Sequence, residues 1–239
     1  MSTSNYFTRV LSVFTVFLVS ITLIGCAQTQ VKQKVGHYEP KQSVSVLLMP
    51  VDIELSALTA GGVKEVRADW TEAAIKHVSK TLRRQLEKHD DKLLDYVEPQ
   101  DPADLQEHNQ IIKLHELVGS TMMVHSLVPA TMPPTIKDSF QWSLGEEVSS
   151  LREASGAEYG LFIFIRDSYA TAGRKALIVT SALFGVGIGG GSQIGFATLV
   201  DLRNGSIVWF NRILKQTGDL RTEDAAYSAV KELIEDIPL

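Results

Sequence analysis

The sequence is poor in cysteine, in excess positive charge and in apolar runs long enough to span a bilayer. Its one cysteine, Cys26, rules out a disulfide within the chain and a metal site built from cysteines. Lys and Arg total 23 against 28 for Asp and Glu, which argues against a nucleic-acid partner and against electrostatic docking onto anionic lipid. The amino-terminal apolar run, Val10 to Thr22, is shorter than the ~20 residues of a spanning helix.

What remains is an ordinary globular composition, with 239 residues of which 44% are hydrophobic and 21% charged. Three segments are predicted. Residues 1–25 form a signal peptide, and residues 26–43, which are polar and contain Gly36 and Pro40, form a flexible tether. Residues 44–239 form a single folded domain.

The amino terminus has the pattern of a secretion signal that ends in a lipidation site. Arg9 precedes the apolar run, and Leu23-Ile24-Gly25-Cys26 follows it. These four residues resemble the bacterial lipobox, which implies cleavage between Gly25 and Cys26 and attachment of diacylglycerol to the Cys26 thiol. Ala27, where an Asp would favour retention in the inner membrane, implies an anchor on the periplasmic face of the outer membrane. The alternatives are an ordinary signal peptide with a chance cysteine, or a signal anchor.

The hydrophobic patterns of the remaining chain predict a mixed α/β fold, with helices packed on a mixed sheet in one domain. In the helix predicted at 71–89, Ile75, Val78, Leu82 and Leu86 form the apolar stripe, and Thr222 is expected to cap the last helix. The predicted strands are 44–51, 93–97, 161–165, 194–202 and 206–213; the helices are 71–89, 102–118, 144–154 and a last one after Thr222; the loops are 55–66 and 128–135.

The chain resembles a group of envelope proteins in two places. Leu47-Leu48-Met49-Pro50 ends a first strand, and Leu199 to Trp209 reads as a hairpin with Asn204-Gly205 at its turn. This layout is similar to the periplasmic α/β domain of the TolB amino-terminal, CsgG and LpoB-type lipoproteins. The resemblance implies a lipid-tethered, non-catalytic domain that contacts other envelope proteins, and it implies no catalytic residue.

The stretch Ala176 to Gly195 has no charged residue and is rich in glycine near its centre. The favoured interpretation is a buried helix over 174–186 that ends at the glycines. The second is a surface that contacts a partner or the membrane through Leu183, Phe184, Val186 and Ile188. The third is a pore-forming hairpin, although both sides of such strands would be apolar here.

Motifs of catalysis, metal binding or phosphate binding are missing from the sequence. The six histidines form no HExxH motif. His108 and His115 are separated by two helical turns, which is too far for the pair to bind one metal ion without a further element, and they are therefore interpreted as surface residues. Arg166 to Tyr169 is interpreted as a solvated strand exit with an internal Arg166–Asp167 pair. The prediction is therefore a chain with no cofactor, no metal and no enzymatic activity.

The leading hypothesis is a lipid-anchored lipoprotein that binds a protein partner and assists assembly or regulation of an envelope machine. The first alternative is an oligomeric, secretion-channel lipoprotein of the CsgG type, which would be a homo-oligomer. The second alternative, a periplasmic hydrolase, has no motif in its favour.

Overall fold

The computed structural model describes residues 33–34, 44–88, 92–134, 141–216 and 219–239, and these residues form eight strands and five α-helices. The strands are β1 Gln33–Lys34, β2 Ser45–Leu48, β3 Asp52–Leu58, β4 Lys64–Val66, β5 Lys92–Asp95, β6 Tyr159–Ala170, β7 Gly191–Asp201 and β8 Ile207–Lys215. The helices are α1 Ala68–Leu86, α2 Pro102–Leu127, α3 Ser149–Ser155, α4 Ala172–Leu183 and α5 Glu223–Leu233.

All eight strands belong to one mixed sheet. Six of them follow the order β1-β8-β7-β6-β2-β5, while β3 pairs with β6 outside this path and β4 pairs with β3. The central strand β6 is long enough to pair with two parallel neighbours, β2 along its first part and β3 along its last part. β7 runs antiparallel to β6, β8 antiparallel to β7, and β4 antiparallel to β3. The carboxyl ends of β3, β6 and β8 therefore lie at the same end of the sheet as the start of β7. We call it the α4 end, because α4 follows β6 there.

Helices cover both faces of the sheet. Helices α1 and α5 pack on one face, and α2 and α3 pack on the other. The first core includes Ala74, Val78, Leu82, Ile163, Ile165, Trp209, Ile213, Val230 and Leu233. The second includes Ile111, Met122, Leu151, Phe162, Phe164, Phe196, Val200 and Phe210. The predicted fold class, a mixed α/β single domain with helices packed on a sheet, is confirmed.

The predicted hairpin around Asn204-Gly205 is present between β7 and β8. Gly205 adopts a φ of +73°, and a Cβ atom there would lie 1.9 Å from the carbonyl oxygen of Gly145. Gly156, at a φ of +72°, ends α3 as expected from its position after the predicted helix. In both places glycine meets a conformation that side chains disfavour.

The prediction of a loop over 55–66 is wrong, since β3 and β4 form a second hairpin there. The apolar residues Ile53, Leu55 and Ala57 alternate along β3 with the period expected of a strand, and all three are buried. The pair Gly61-Gly62 marks only the turn between the two strands. The physical reason for the difference is that glycine strongly favours turns, while the apolar alternation over 53–57 is short.

Strand β6 and helix α2 are both longer than predicted. β6 continues through Arg166 to Tyr169 because β3 and β7 pair with it on either side, so polar side chains are held within the strand. Helix α2 continues to Leu127, well beyond the predicted end at Val118. Its apolar residues lie all round the helix, so that no single face marks its length.

Two details of the outer helices differ from prediction. In α1, Val78, Leu82 and Leu86 are buried as expected, but Ile75 is exposed and Ala74 lies in the core in its place. Thr222 is the residue before α5, but its hydroxyl donates to the carbonyl of Asp219 at 3.1 Å and does not cap the helix.

The predicted lipidation and cleavage residues, Gly25 and Cys26, lie outside the described residues. Of the predicted tether, the structure describes β1, which pairs antiparallel with β8 so that Gln33 lies opposite Phe210 and Lys34 opposite Trp209. In the part of the chain that the structure describes, no helix combines the length and apolar character needed to cross a bilayer.

Candidate functional site

Helix α4 and the glycine segment that follows it lie at the end of the sheet. The hydroxyl of Thr171 accepts a hydrogen bond from the backbone N–H of Arg174 at 3.3 Å, which caps the helix directly after β6. The helix ends at Leu183, and Gly185 at a φ of +74° turns the chain towards β7. Because α4 starts where the central strand β6 ends, it extends from the end of the sheet and does not cover a sheet face.

This position leaves α4 exposed. The favoured prediction of a buried helix over 174–186 is therefore right about the helix and wrong about its burial. None of the residues of α4 is buried. Leu183 is 80% exposed, Phe184 84% and Val186 54%, and Ile188 is half-buried. The physical reason is that α1, α5, α2 and α3 already cover both faces of the sheet. Exposed apolar side chains that are contiguous in the chain are typical of an interaction surface.

The pore-forming hairpin considered for Ala176–Gly195 is also contradicted. Its first part is helical, and only the residues from Gly191 onward form a strand. Three of the four residues predicted to contact a partner or a membrane, Leu183, Phe184 and Val186, are exposed together. We call the segment 183–188 the apolar tip.

Arg174 fixes the glycine segment against the rest of the domain. Its Nε donates to the carbonyl oxygen of Gly189 at 3.0 Å, and its Nη1 donates to that of Ala60, in the β3–β4 turn, at 3.4 Å. At Gly191, with a φ of +142°, a Cβ atom would lie 2.1 Å from the carbonyl oxygen of Ser168. The apolar tip therefore projects from a segment that is bonded at its base.

A polar network lies beside α4 at the same end of the sheet. Tyr169 donates its hydroxyl proton to the Asp167 carboxylate, Gln193 donates to that carboxylate at 2.8 Å, and the Leu220 N–H donates to the Tyr169 oxygen at 2.6 Å. Burial raises the pKa of Asp167 and, together with the adjacent carboxylate, the pKa of Tyr169. The network joins β6 and β7 to the segment that leads into α5.

Arg221 packs over the outer side of this network. Its guanidinium lies 4.5 Å from the ring centroids of both Trp70 and Tyr169, and it pairs with Asp219 at 2.6 Å. A cleft of about 330 Å³ lies between Arg221, Tyr169 and Lys175 of α4. Tyr169 bonds Asp167, Arg221 bonds Asp219, and Arg221 lies over the Tyr169 ring, so these four side chains connect the sheet to the segment before α5.

The interpretation of Arg166–Asp167 as an internal ion pair is wrong. Neighbouring residues of a strand point to opposite faces, so these two side chains lie on opposite sides of the sheet. Arg166 pairs with Asp52 at 2.7 Å and with Glu116 of α2 at 3.5 Å, and it lies over the ring of Phe164. It thereby fastens α2 to the sheet.

His108 and His115 are buried, which corrects the prediction that they lie on the surface. His108 shares a hydrogen bond between its Nδ1 and the Tyr96 hydroxyl at 3.1 Å. His115 stacks on Phe162 at 4.8 Å, and burial lowers its pKa to about 3, so the ring is neutral at pH 7. Among the described residues, no group of three or more His, Cys, Asp or Glu side chains is placed to hold a metal ion.

The outer face of α2 is a second exposed apolar surface, which sequence reasoning missed. The α2 stripe consists of five exposed residues, spaced so that they follow one side of the helix: Leu114, Leu117, Val124, Leu127 and Val128, which directly follows the helix. Leu117, at 67% exposure, is the most exposed of them. Apolar spacing on both sides of one helix was the available signal, but it equally fits a fully buried helix.

Comparisons with known proteins give structural similarities at low sequence identity. No protein-family model and no curated protein matches the chain. The PelC dodecamer from Paraburkholderia phytofirmans is 13% identical at a TM-score of 0.39, over 88% of this chain and 98% of that one. The LpoB C-terminal domain from Salmonella enterica is 13% identical at a TM-score of 0.27, over 77% and 88%. Lipoprotein GNA1162 from Neisseria meningitidis is 14% identical at a TM-score of 0.28, over 72% and 81%. These similarities are distant, and they assign no residue role to this chain.

Proposed function

We propose that this protein is a lipid-anchored, non-catalytic lipoprotein of the outer membrane that binds an envelope protein and assists assembly or regulation of an envelope machine. The observation that supports partner binding best is the α2 stripe. Four apolar side chains on one side of a 26-residue helix, together with Val128 directly after it, remain exposed while the opposite side fills the core. Lipid attachment at Cys26 is proposed from the lipobox pattern alone.

The α2 stripe has the dimensions of a helix-in-groove contact. From Leu114 to Val128 it extends roughly 21 Å at the ~1.5 Å rise of a helix. Contacts of this kind bury apolar residues at spacings of three, four and seven, which is the spacing seen here. Lys113 and Glu116 form an ion pair at 3.2 Å beside the stripe. An apolar strip with charged groups at its margin is typical of protein interfaces.

Arg166 gives the surface a fixed orientation. It joins Glu116 of α2 to Asp52 of β3, and a Cβ atom on Gly119 would overlap the Phe196 ring at 2.0 Å, so the helix approaches the sheet closely at that point. A surface held in place before binding loses little conformational freedom when a partner docks.

The test is purification of the protein from its native envelope in mild detergent, with intact-mass analysis. The expected mass begins at Cys26 with acyl chains, and a second protein co-purifies in a fixed ratio. The double variant Leu117→Glu/Val124→Glu is expected to lose that protein. Val97→Glu, at an apolar residue outside α2 that is at least as exposed as these two, is expected to retain it.

Three results would contradict the proposal. An unlipidated mass would contradict the lipid anchor. A partner that binds both variants equally would show that the α2 stripe is not its binding site. A large homogeneous particle made of this chain alone would favour the oligomeric, channel-type alternative.

A further inference from the structure

Strand β1 gives the direction of the chain at Gln33 and Lys34. In the antiparallel pair of β1 and β8, Gln33 lies opposite Phe210 and Lys34 opposite Trp209. The step from Lys34 back to Gln33 in β1 therefore runs in the same direction as the step from Trp209 to Phe210 in β8. Traced back from Gln33 towards Cys26, the chain points towards Lys215, which is opposite Gln193 at the α4 end of the sheet.

The chain before Gln33 is long enough to arrive at that end. Five residues of β8 separate Phe210 from Lys215, or roughly 17 Å at the rise of a strand. Seven residues separate Cys26 from Gln33, and they span at most roughly 23–25 Å when extended. An acyl group on Cys26 can thus reach the plane of the α4 end and pass slightly beyond it.

Two apolar loops occur at this same end. One is the apolar tip, where Leu183, Phe184 and Val186 are exposed within a run of 20 residues without charge. The other is the β3–β4 turn, which Arg174 joins to α4 and whose Val63 is also largely exposed. A protein partner surface is usually rimmed by polar groups, whereas a charge-free tip beside a lipid anchor fits the acyl region of a membrane.

We infer that the apolar tip inserts into the lipid leaflet that holds the Cys26 anchor, as a second membrane contact that orients the domain with its α4 end towards the bilayer. The inference rests on the proposed lipid anchor. In this orientation the α2 stripe, which lies along a face of the sheet, stays in the aqueous compartment, where a protein partner can reach it.

The test places one fluorescent label on the full-length lipidated protein. Cys26 is the one cysteine of the sequence and its thiol is consumed by lipidation, so Phe184→Cys provides a single reactive thiol. The labelled protein is reconstituted into vesicles of phosphatidylethanolamine and phosphatidylglycerol, with and without lipids that bear a nitroxide on the acyl chain. Val97→Cys is the matched control, since Val97 is 79% exposed and lies away from the α4 end.

The expected result is severalfold stronger quenching by nitroxide lipid at position 184 than at position 97, with the opposite order for iodide in the buffer. Equal quenching at the two positions would overturn the inference. A label at 184 that is shielded from iodide but not quenched by nitroxide lipid would also overturn it, and would place a second copy or another protein on the tip.

Two readouts on the same labelled protein separate the anchor from the tip. Intact mass reports whether Cys26 is acylated, and quenching at position 184 reports whether the tip meets lipid. An unacylated chain would refute the proposed anchor, while an acylated chain with no quenching would refute the inserted tip alone.

Discussion

Helices α1 and α4 show how position in a fold, more than composition, decides what is buried. α1 places Lys and Arg side chains on its outer side, yet it buries Ala74, Val78, Leu82 and Leu86 under one face of the sheet. α4 is the more apolar helix, yet it buries no residue. α1 lies across a sheet face, whereas α4 extends from the end of β6, so most of its apolar side chains are exposed.

Helix α2 lies between these two cases. Its inner side fills the second core with Ile111, Met122 and Met123, while the α2 stripe faces away from the sheet. Exposed apolar residues of this domain therefore occur in two distinct settings. One is the outer side of a helix that is held firmly against the sheet, and the other is the tip of a segment at the sheet end.

The largest expected effect compares the same substitution in α1 and α4. Leu82→Ala removes a buried side chain and is expected to lower the free energy of unfolding by about 2–5 kcal/mol. Leu183→Ala is expected to change it by less than about 0.5 kcal/mol, because the side chain is exposed. Urea denaturation of both variants in the Cys26→Ser background measures the difference. Similar losses at the two positions would mean that α4 is packed.

The next effect is the loss of folding stability at acidic pH that is caused by His115, on the inner side of α2. The pKa of the ring is lowered to about 3 in the folded chain, against about 6.5 when unfolded. As the pH falls below about 6.5 the unfolded chain therefore takes up the proton first, and stability is lost. Between pH 7 and about pH 4.5, His115→Leu is expected to lose about 2–3 kcal/mol less than the parent protein. Equal losses in urea denaturation at the two pH values would show that the ring is not buried.

A smaller effect compares two glycines. Gly119→Ala places a methyl group against the buried ring of Phe196 and is expected to cost about 1–3 kcal/mol. Gly187→Ala meets no atom within 4 Å in the glycine segment and is expected to be neutral or slightly stabilising. Thermal unfolding of the two variants gives the comparison. A neutral Gly119→Ala would contradict the close approach of α2 to the sheet.

Much of this fold could be predicted from sequence where a local pattern matched a single environment. Val78, Leu82 and Leu86 follow one helical face, and Asn204-Gly205 marks a tight turn, so both elements were recognised. The burial of α4 could not be predicted, because periodicity reports which residues share a face and not whether another element covers that face.

The sites show the same limit. Leu183, Phe184 and Val186 could be named from their uncharged surroundings, whereas the exposed side of α2 could not be told from a buried one. The spacing of His108 and His115 argues against a shared metal ion and thereby favours the surface, whereas their burial depends on Tyr96 and Phe162, which belong to other elements of the fold. The lipid anchor at Cys26 stays a prediction.

Amide hydrogen exchange across α1, α2 and α4 tests most directly whether the two exposed apolar regions have different roles. The lipidated protein in lipid nanodiscs is compared with the Cys26→Ser form in buffer. We expect protection in nanodiscs to be confined to peptides within 177–190, with α1 protected in both samples and α2 unchanged until a partner protein is added. Protection of α2 by lipid, or no change at 177–190, would contradict this expectation.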